Sequence, residues 1–157
     1  MTENASNPSI SSDHAMLEMT LLSAETTDTS FEDVVVESVS KGIPLEILTR
    51  LKDLWEKKQV IGDEIIYVGK IVVLKIVEFL KSHPKLTASL AISAAVYYLS
   101  HAIPYLGPVL APVLAAIAGL ASLVLTSSFD ECVQMARDFF ATLVSIFNAV
   151  AGRWSLS

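Results

Sequence analysis

Residues 86–129, LTASLAISAAVYYLSHAIPYLGPVLAPVLAAIAGLASLVLTSSF, run for 44 residues without an Asp, Glu, Lys or Arg. Apart from His101, the only titratable side chains among them are Tyr97, Tyr98 and Tyr105. Ile103-Pro104-Tyr105-Leu106-Gly107-Pro108 divides the stretch into two apolar arms, 86–103 and 109–126. As helices, the arms would each be about 27 Å long. A bilayer's hydrocarbon core is about 30 Å thick and calls for roughly 17–25 apolar residues. Two such arms around a tight turn predict an all-α chain organised on a membrane helical hairpin over 86–126.

Three prolines spaced by four shape the turn. Pro104 ends the first arm, because the residue before a proline avoids the α region. Gly107-Pro108 makes the turn itself. Pro112 falls in the first turn of the second arm, where backbone N–H groups have no intrahelical partner to lose. The turn carries no charge, and a Lys or Asp there would cost about 2.5–3.5 kcal/mol at the bilayer centre.

Small residues repeat along both arms. Ala91 and Ala95 share one side of the first arm with Ala88 and Ala94, and Ala111, Ala115 and Gly119 are spaced by four on the second. Small-residue faces let helix backbones approach closely in lipid. They predict packing of arm on arm and offer a face for a homo-oligomer. Tyr97 and Tyr98, late in the first arm, suit an aromatic belt at the far interface. His101 reads as a polar anchor near a helix end, since no second metal ligand stands near it.

Amphipathic segments flank the hairpin. Leu45, Leu48, Leu51, Leu54 and Trp55 recur at helical spacing and predict a helix over 44–59, with Pro44 at its start. Val60-Ile61-Gly62 reads as a short break before a second helix over 63–82. The second helix has a wide apolar face edged by lysines, the pattern of a helix lying in a bilayer interface with Lys81 and Lys85 as anchors. The same pattern fits the core helix of a bundle, and its β-branched run also permits a strand. Ser128-Phe129-Asp130-Glu131 has the form of a capping box. It predicts a third amphipathic helix over 129–150, ended by Gly152 and followed by Trp154 as an interfacial foot.

The 157 residues suit one domain. The hydrophobic fraction is 52%, the mean hydropathy is +0.53 and the net charge is −6. The negative charge is concentrated: residues 1–40 hold eight of the 17 acids and no Lys or Arg. Ser and Thr are frequent there and the apolar residues form short islands, which predicts a disordered acidic tail over 1–40 and a helical membrane domain over 41–157. Such a tail can order on contact with a protein partner. It has none of the clustered Lys and Arg that phosphate backbones require, so nucleic acid is not an expected partner. The opening residues lack the basic and apolar regions of a cleavable signal peptide. Cys132 is the single cysteine, with no second thiol for a disulfide or a metal site. No phosphate loop, nucleophile elbow or HExxH motif occurs. Asp63-Glu64 and Asp130-Glu131 are adjacent acids of the kind that suit helix N-termini. No enzyme activity, cofactor or metal is expected.

The first twelve residues, free of basic side chains and rich in small polar ones, are similar to the leaders of bacterial type III effectors. With the hairpin, the chain resembles the bilobed hydrophobic effectors that sit in host vacuole membranes, which implies a hairpin that anchors and a tail that recruits. Pore-forming colicins are similar in enclosing an uncharged helical hairpin within amphipathic helices, which implies permeabilisation, although their pore domains are larger. The prolines resemble the proline knot of oleosins, whose arms are much longer. The leading expectation is a non-enzymatic membrane protein, of which a bacterial membrane-targeted effector is one form. Lys70, Lys75, Lys81 and Lys85 precede the hairpin, so both termini are expected on the cytoplasmic side of the bilayer. A pore-forming protein and a soluble bundle with the hairpin buried stay open beside it.

Overall fold

In the computed structural model, which describes residues 10–118 and 128–154, the chain is mostly helical, with eight α-helices and one small β-hairpin among those residues. From residue 10 to 40 the acidic N-terminal region is largely helical, against the disorder expected of it, and residues 1–9 of that expectation lie outside the described residues. Ser11 caps α1 (Ser12–Glu25) by accepting a bond from the His14 N–H at 3.1 Å. Ser30 and Asp33 cap α2 (Phe31–Ser40) reciprocally, each side chain accepting the other's N–H at 3.4 Å. Caps alone do not hold helices this short in water. Tertiary contact does: Ala15 and Met19 of α1 and Val34 of α2 are buried in the common core.

Pro44 stands at the N-cap position of α3 (Leu45–Trp55) without a side-chain cap bond, and Ile47, Leu48, Leu51, Leu54 and Trp55 form its buried face. The break expected at Val60-Ile61-Gly62 is the tip of an antiparallel hairpin, β1 (Gln59–Ile61) paired with β2 (Glu64–Ile66). Gly62 takes φ +64°, the positive value a two-residue hairpin turn needs at its first position. The helix expected from residue 63 therefore starts later, as α4 (Val68–Ser82). The wide apolar face of α4 is covered by protein: Val68, Ile71, Val72, Val73, Ile76, Val77, Phe79 and Leu80 are all buried.

Thr87 caps α5 (Ala88–Ala102) by accepting the Leu90 N–H at 3.3 Å. α5 is the central helix. It packs against α4, against α6 (Gly107–Ala118) and most extensively against α7 (Ser128–Phe139). Ala91, Ile92, Ala94, Ala95, Val96 and Leu99 are fully enclosed. α3 bridges α4 and α6, α2 lies on α3 and α4, and α1 lies on α4, β2 and α8 (Ala141–Ala149). The single helix expected over 129–150 is bent into α7 and α8 at Phe140. The Phe140 N–H still donates to Ala136 and its carbonyl still accepts from Val144, so the helical bonding runs up to the bend from both sides. The bend places the Phe140 ring 5.5 Å from Phe79 and 5.0 Å from Phe139, in a cluster at the end of α4.

The approach of α4 to α3 rests on Gly69. A Cβ there would lie 1.7 Å from the Leu54 carbonyl oxygen, and the Gly69 N–H donates to the Lys57 carbonyl at 3.0 Å. Gly107 at the start of α6 has helical φ −48° and open space where a Cβ would go. Gly69→Ala is expected to cost more than about 3 kcal/mol, since backbone must move to admit the methyl. Gly107→Ala is expected to be neutral or to stabilise by up to about 1 kcal/mol. Urea melts of the two variants beside the parent check the contrast.

Candidate lipid-docking surface

α6 has the sequence GPVLAPVLAAIA and, alone among the eight described helices, no polar side chain. Its inner face is Leu110, Val113 and Ile117, all buried, with Leu106 buried just before it. Its outer face is Pro108, Ala111 and Ala115, all exposed, with Pro112, Leu114 and Ala116 half-buried beside them. A helix that is apolar all round is ordinarily enclosed by a core or by lipid. Here one side of it is exposed.

The small-residue face assigned to this arm therefore points outward. In water the large aliphatic side chains win the core, because each one buried contributes about 1.5–3 kcal/mol and an alanine far less. On α5 the outcome differs, and Ala91 and Ala95 are fully buried where its neighbours close in. Gly119 and the rest of the expected second arm, through Thr126, lie outside the described residues.

Of the turn expected at Gly107-Pro108, only Pro104 lies in the turn, because Gly107 and Pro108 already begin α6. Pro104 opens a single 3-10 turn, Pro104–Leu106, that leads into Gly107. Pro112, expected in the first turn of the second arm, lies beyond it inside α6, because the helix starts at Gly107 rather than near Val109. The two arms are not antiparallel: the chain bends by 119° between α5 and the segment from Pro104 to Ile117. No single helix among the described residues is long and apolar enough to cross a membrane, although this bent pair meets that measure of length and composition jointly. At 15 residues α5 is about 22 Å long, shorter than the arm read from the sequence.

The chain's far end holds the turn. Asn148 Nδ2 donates to the Ala102 carbonyl at 3.0 Å, satisfying one of the free acceptors at the end of α5. The Trp154 ring lies 5.6 Å from Tyr105 and 6.2 Å from Phe147. Trp154, expected as an interfacial foot, is instead buried and forms a β-bridge with Ile61, while the Gly62 N–H donates to the Arg153 carbonyl at 2.9 Å. Arg153 also pairs with Asp13 at the start of α1.

The other proposed anchors spread over separate places. Lys81 and Lys85 are exposed near the end of α4. Tyr97 is exposed on α5, its ring 4.3 Å from His101 and 5.5 Å from Phe129, and Tyr98 is half-buried. His101 Nδ1 lies 2.8 Å from the Tyr97 carbonyl, a bond within its own helix. Lys70 sits over the rings of Tyr67, at 4.9 Å, and Trp55, at 5.6 Å. No three His, Cys, Asp or Glu side chains among the described residues come close enough to hold a metal ion.

Comparison with protein-family models, with curated proteins and with solved structures finds no match for this chain.

The Cys132 thiol, on α7, is a built-in reporter of the enclosure around α5. It is buried, and burial first, then the neighbouring Glu131 carboxylate, pushes its pKa above the usual thiol value. Thiolate is the reactive form. Labelling by a thiol reagent at pH 8 is expected to be at least about tenfold slower in the folded protein than in urea. A mass-spectrometric time course in both conditions reads this, and equal rates would mean that α7 does not stay packed.

Proposed function

We propose that the chain is a non-enzymatic protein that docks on lipid bilayers through the uncharged α5–α6 segment. The observation that carries this reading is α6, a helix without a polar atom in its side chains and with one face outside the protein. A solvated helix of a globular protein places charged or polar groups on its outer side. α6 places proline and alanine there, and a hydrocarbon phase accepts that face at no desolvation cost. The turn before it, Pro104 to Leu106, has no charge to drag into the bilayer. The bundle then serves as the carrier, keeping α5 enclosed until α6 reaches a membrane. Entry by way of the turn keeps both chain ends on one side of the bilayer.

Ala115→Lys separates this reading from an ordinary exposed face. On a solvated helix surface the change stays within about 0.5 kcal/mol of the parent's stability. In the hydrocarbon core the same lysine costs roughly 2.5–3.5 kcal/mol. The variant is expected to melt like the parent and to float with phosphatidylcholine vesicles at least about tenfold less well. Equal flotation of parent and variant would falsify docking through α6. Release of a dye trapped in the same vesicles would move the assignment from anchor to pore.

A further inference from the structure

The N-terminal helices leave part of their apolar surface outside the bundle. Leu17 and Leu21 of α1 are 57% and 50% exposed, and Val36 and Val39 of α2 are 71% and 61% exposed. Ser23, Thr26 and Ser38 are buried in their place. Ser23 Oγ accepts the Tyr67 N–H at 3.1 Å and Thr26 Oγ1 donates to the Ser23 carbonyl at 2.7 Å, whereas Ser38 Oγ is buried without a partner. Ala15 and Met19 hold α1 with Met16 and Leu22 half-buried beside them, while the burial that Leu17 and Leu21 could add is forgone.

The fit beneath α1 is also incomplete. A cleft of about 290 Å³ lies between α1 and α4, lined by Leu22, Ile71, Leu74 and Val77 and by the charged Glu25, Lys75, Glu78 and Lys81, with Lys75 Nζ 3.5 Å from Glu78 Oε1. A second, of about 270 Å³, continues it toward α8, sharing Leu22, Lys75 and Glu78 and adding Glu18, Phe139 and Ile146. α1 thus lies along an apolar trough with lysines on its edge, presenting Glu18, Leu22 and Glu25 from one helical face at spacings of four and three. Glu18 and Glu25 line the same clefts as Lys75, Glu78 and Lys81, and on α4 the two lysines outnumber the one acid among those residues.

We propose that this trough on α4 is a second docking surface for anionic bilayers, and that α1 is a detachable strap occupying it until such a bilayer takes its place. The inference deepens the reading above and rests on its choice of a bilayer as partner. Lys75 and Lys81 meet the headgroups; Ile71, Leu74 and Val77 meet the upper acyl region. α1 leaves with its acids, which a negative surface repels; its exposed leucines lose nothing by leaving, and the burial of Ala15 and Met19 is the cost the bilayer must offset.

Hydrogen exchange of the full-length protein, read by mass spectrometry, tests this with vesicles of phosphatidylcholine alone and with phosphatidylglycerol added. Phosphatidylglycerol is expected to speed exchange over residues 12–25 and slow it over 71–81. Met19→Ala, which removes a fully buried contact of α1, is expected to bind the anionic vesicles several-fold more tightly. Lys75→Gln with Lys81→Gln is expected to bind them about tenfold or more weakly, since each lysine near such a surface contributes on the order of 1 kcal/mol. The proposal is overturned if residues 12–25 stay protected on bound protein, if the lysine pair makes no difference, or if neither parent nor Met19→Ala binds. The two docking surfaces fail separately. Binding sensitive to Ala115→Lys but not to the lysine pair keeps α6 and removes the trough, and the reverse pattern keeps the trough and removes α6.

Discussion

The burial of α5 is the constraint on which the structure depends. The helix has no charge to offer water, so the chain must surround it or find it another apolar phase. α4, α6 and α7 do the surrounding, and their own shapes follow from that duty. α4 has a wide apolar face because it meets α5 on one side and the N-terminal helices on the other. α7 bends at Phe140 so that the chain can close over Phe79 and continue as α8 beneath α1. α3 reaches both α4 and α6, and it can lie against α4 only because residue 69 has no side chain.

The parts legible in the sequence are those where one local rule faced no competitor. The helical spacing of Leu48, Leu51 and Leu54 located α3, and Pro104 located the end of α5. Other parts carried a signal of equal strength that pointed elsewhere. Ser30-Phe31-Glu32-Asp33 is a capping box in a region whose charge and composition argue for disorder, and composition says nothing of a bundle on which α2 can rest. Gly62-Asp63 between Gln-Val-Ile and Glu-Ile-Ile is a hairpin signal, hidden because the charges after it also fit the phase of a helix. The division of Phe140 between α7 and α8 left no local mark, since the helical bonding continues up to it.

The candidate surface was legible in composition and not in orientation. Absence of charge over residues 86–129 is plain in the sequence. Which side of α6 faces inward is not, because small-residue spacing and large-aliphatic spacing each define a face, and the choice between them depends on the surroundings. Lipid favours the face of Ala111 and Ala115 for close helix contact, whereas water favours burying Leu110, Val113 and Ile117. The structure shows the second arrangement. Trp154 follows the same logic. An aromatic at a chain end suits an interface by its chemistry, yet here Ile61 and Tyr105 supply a drier place for it.

The bridge between Ile61 and Trp154 and the pairing of Asp13 with Arg153 join parts of the chain that are made at very different times during synthesis. Contacts of such long range form late. A ribosome releases α5 and α6 before α7 and α8, so there is an interval in which the most apolar segment of the nascent chain has only α3 and α4 for cover. A growing chain in that state presents to the cell the same uncharged stretch that a translocation or insertion machinery reads, and it invites aggregation if nothing binds it. The enclosure of α5 thus waits, during translation, on the arrival of α7.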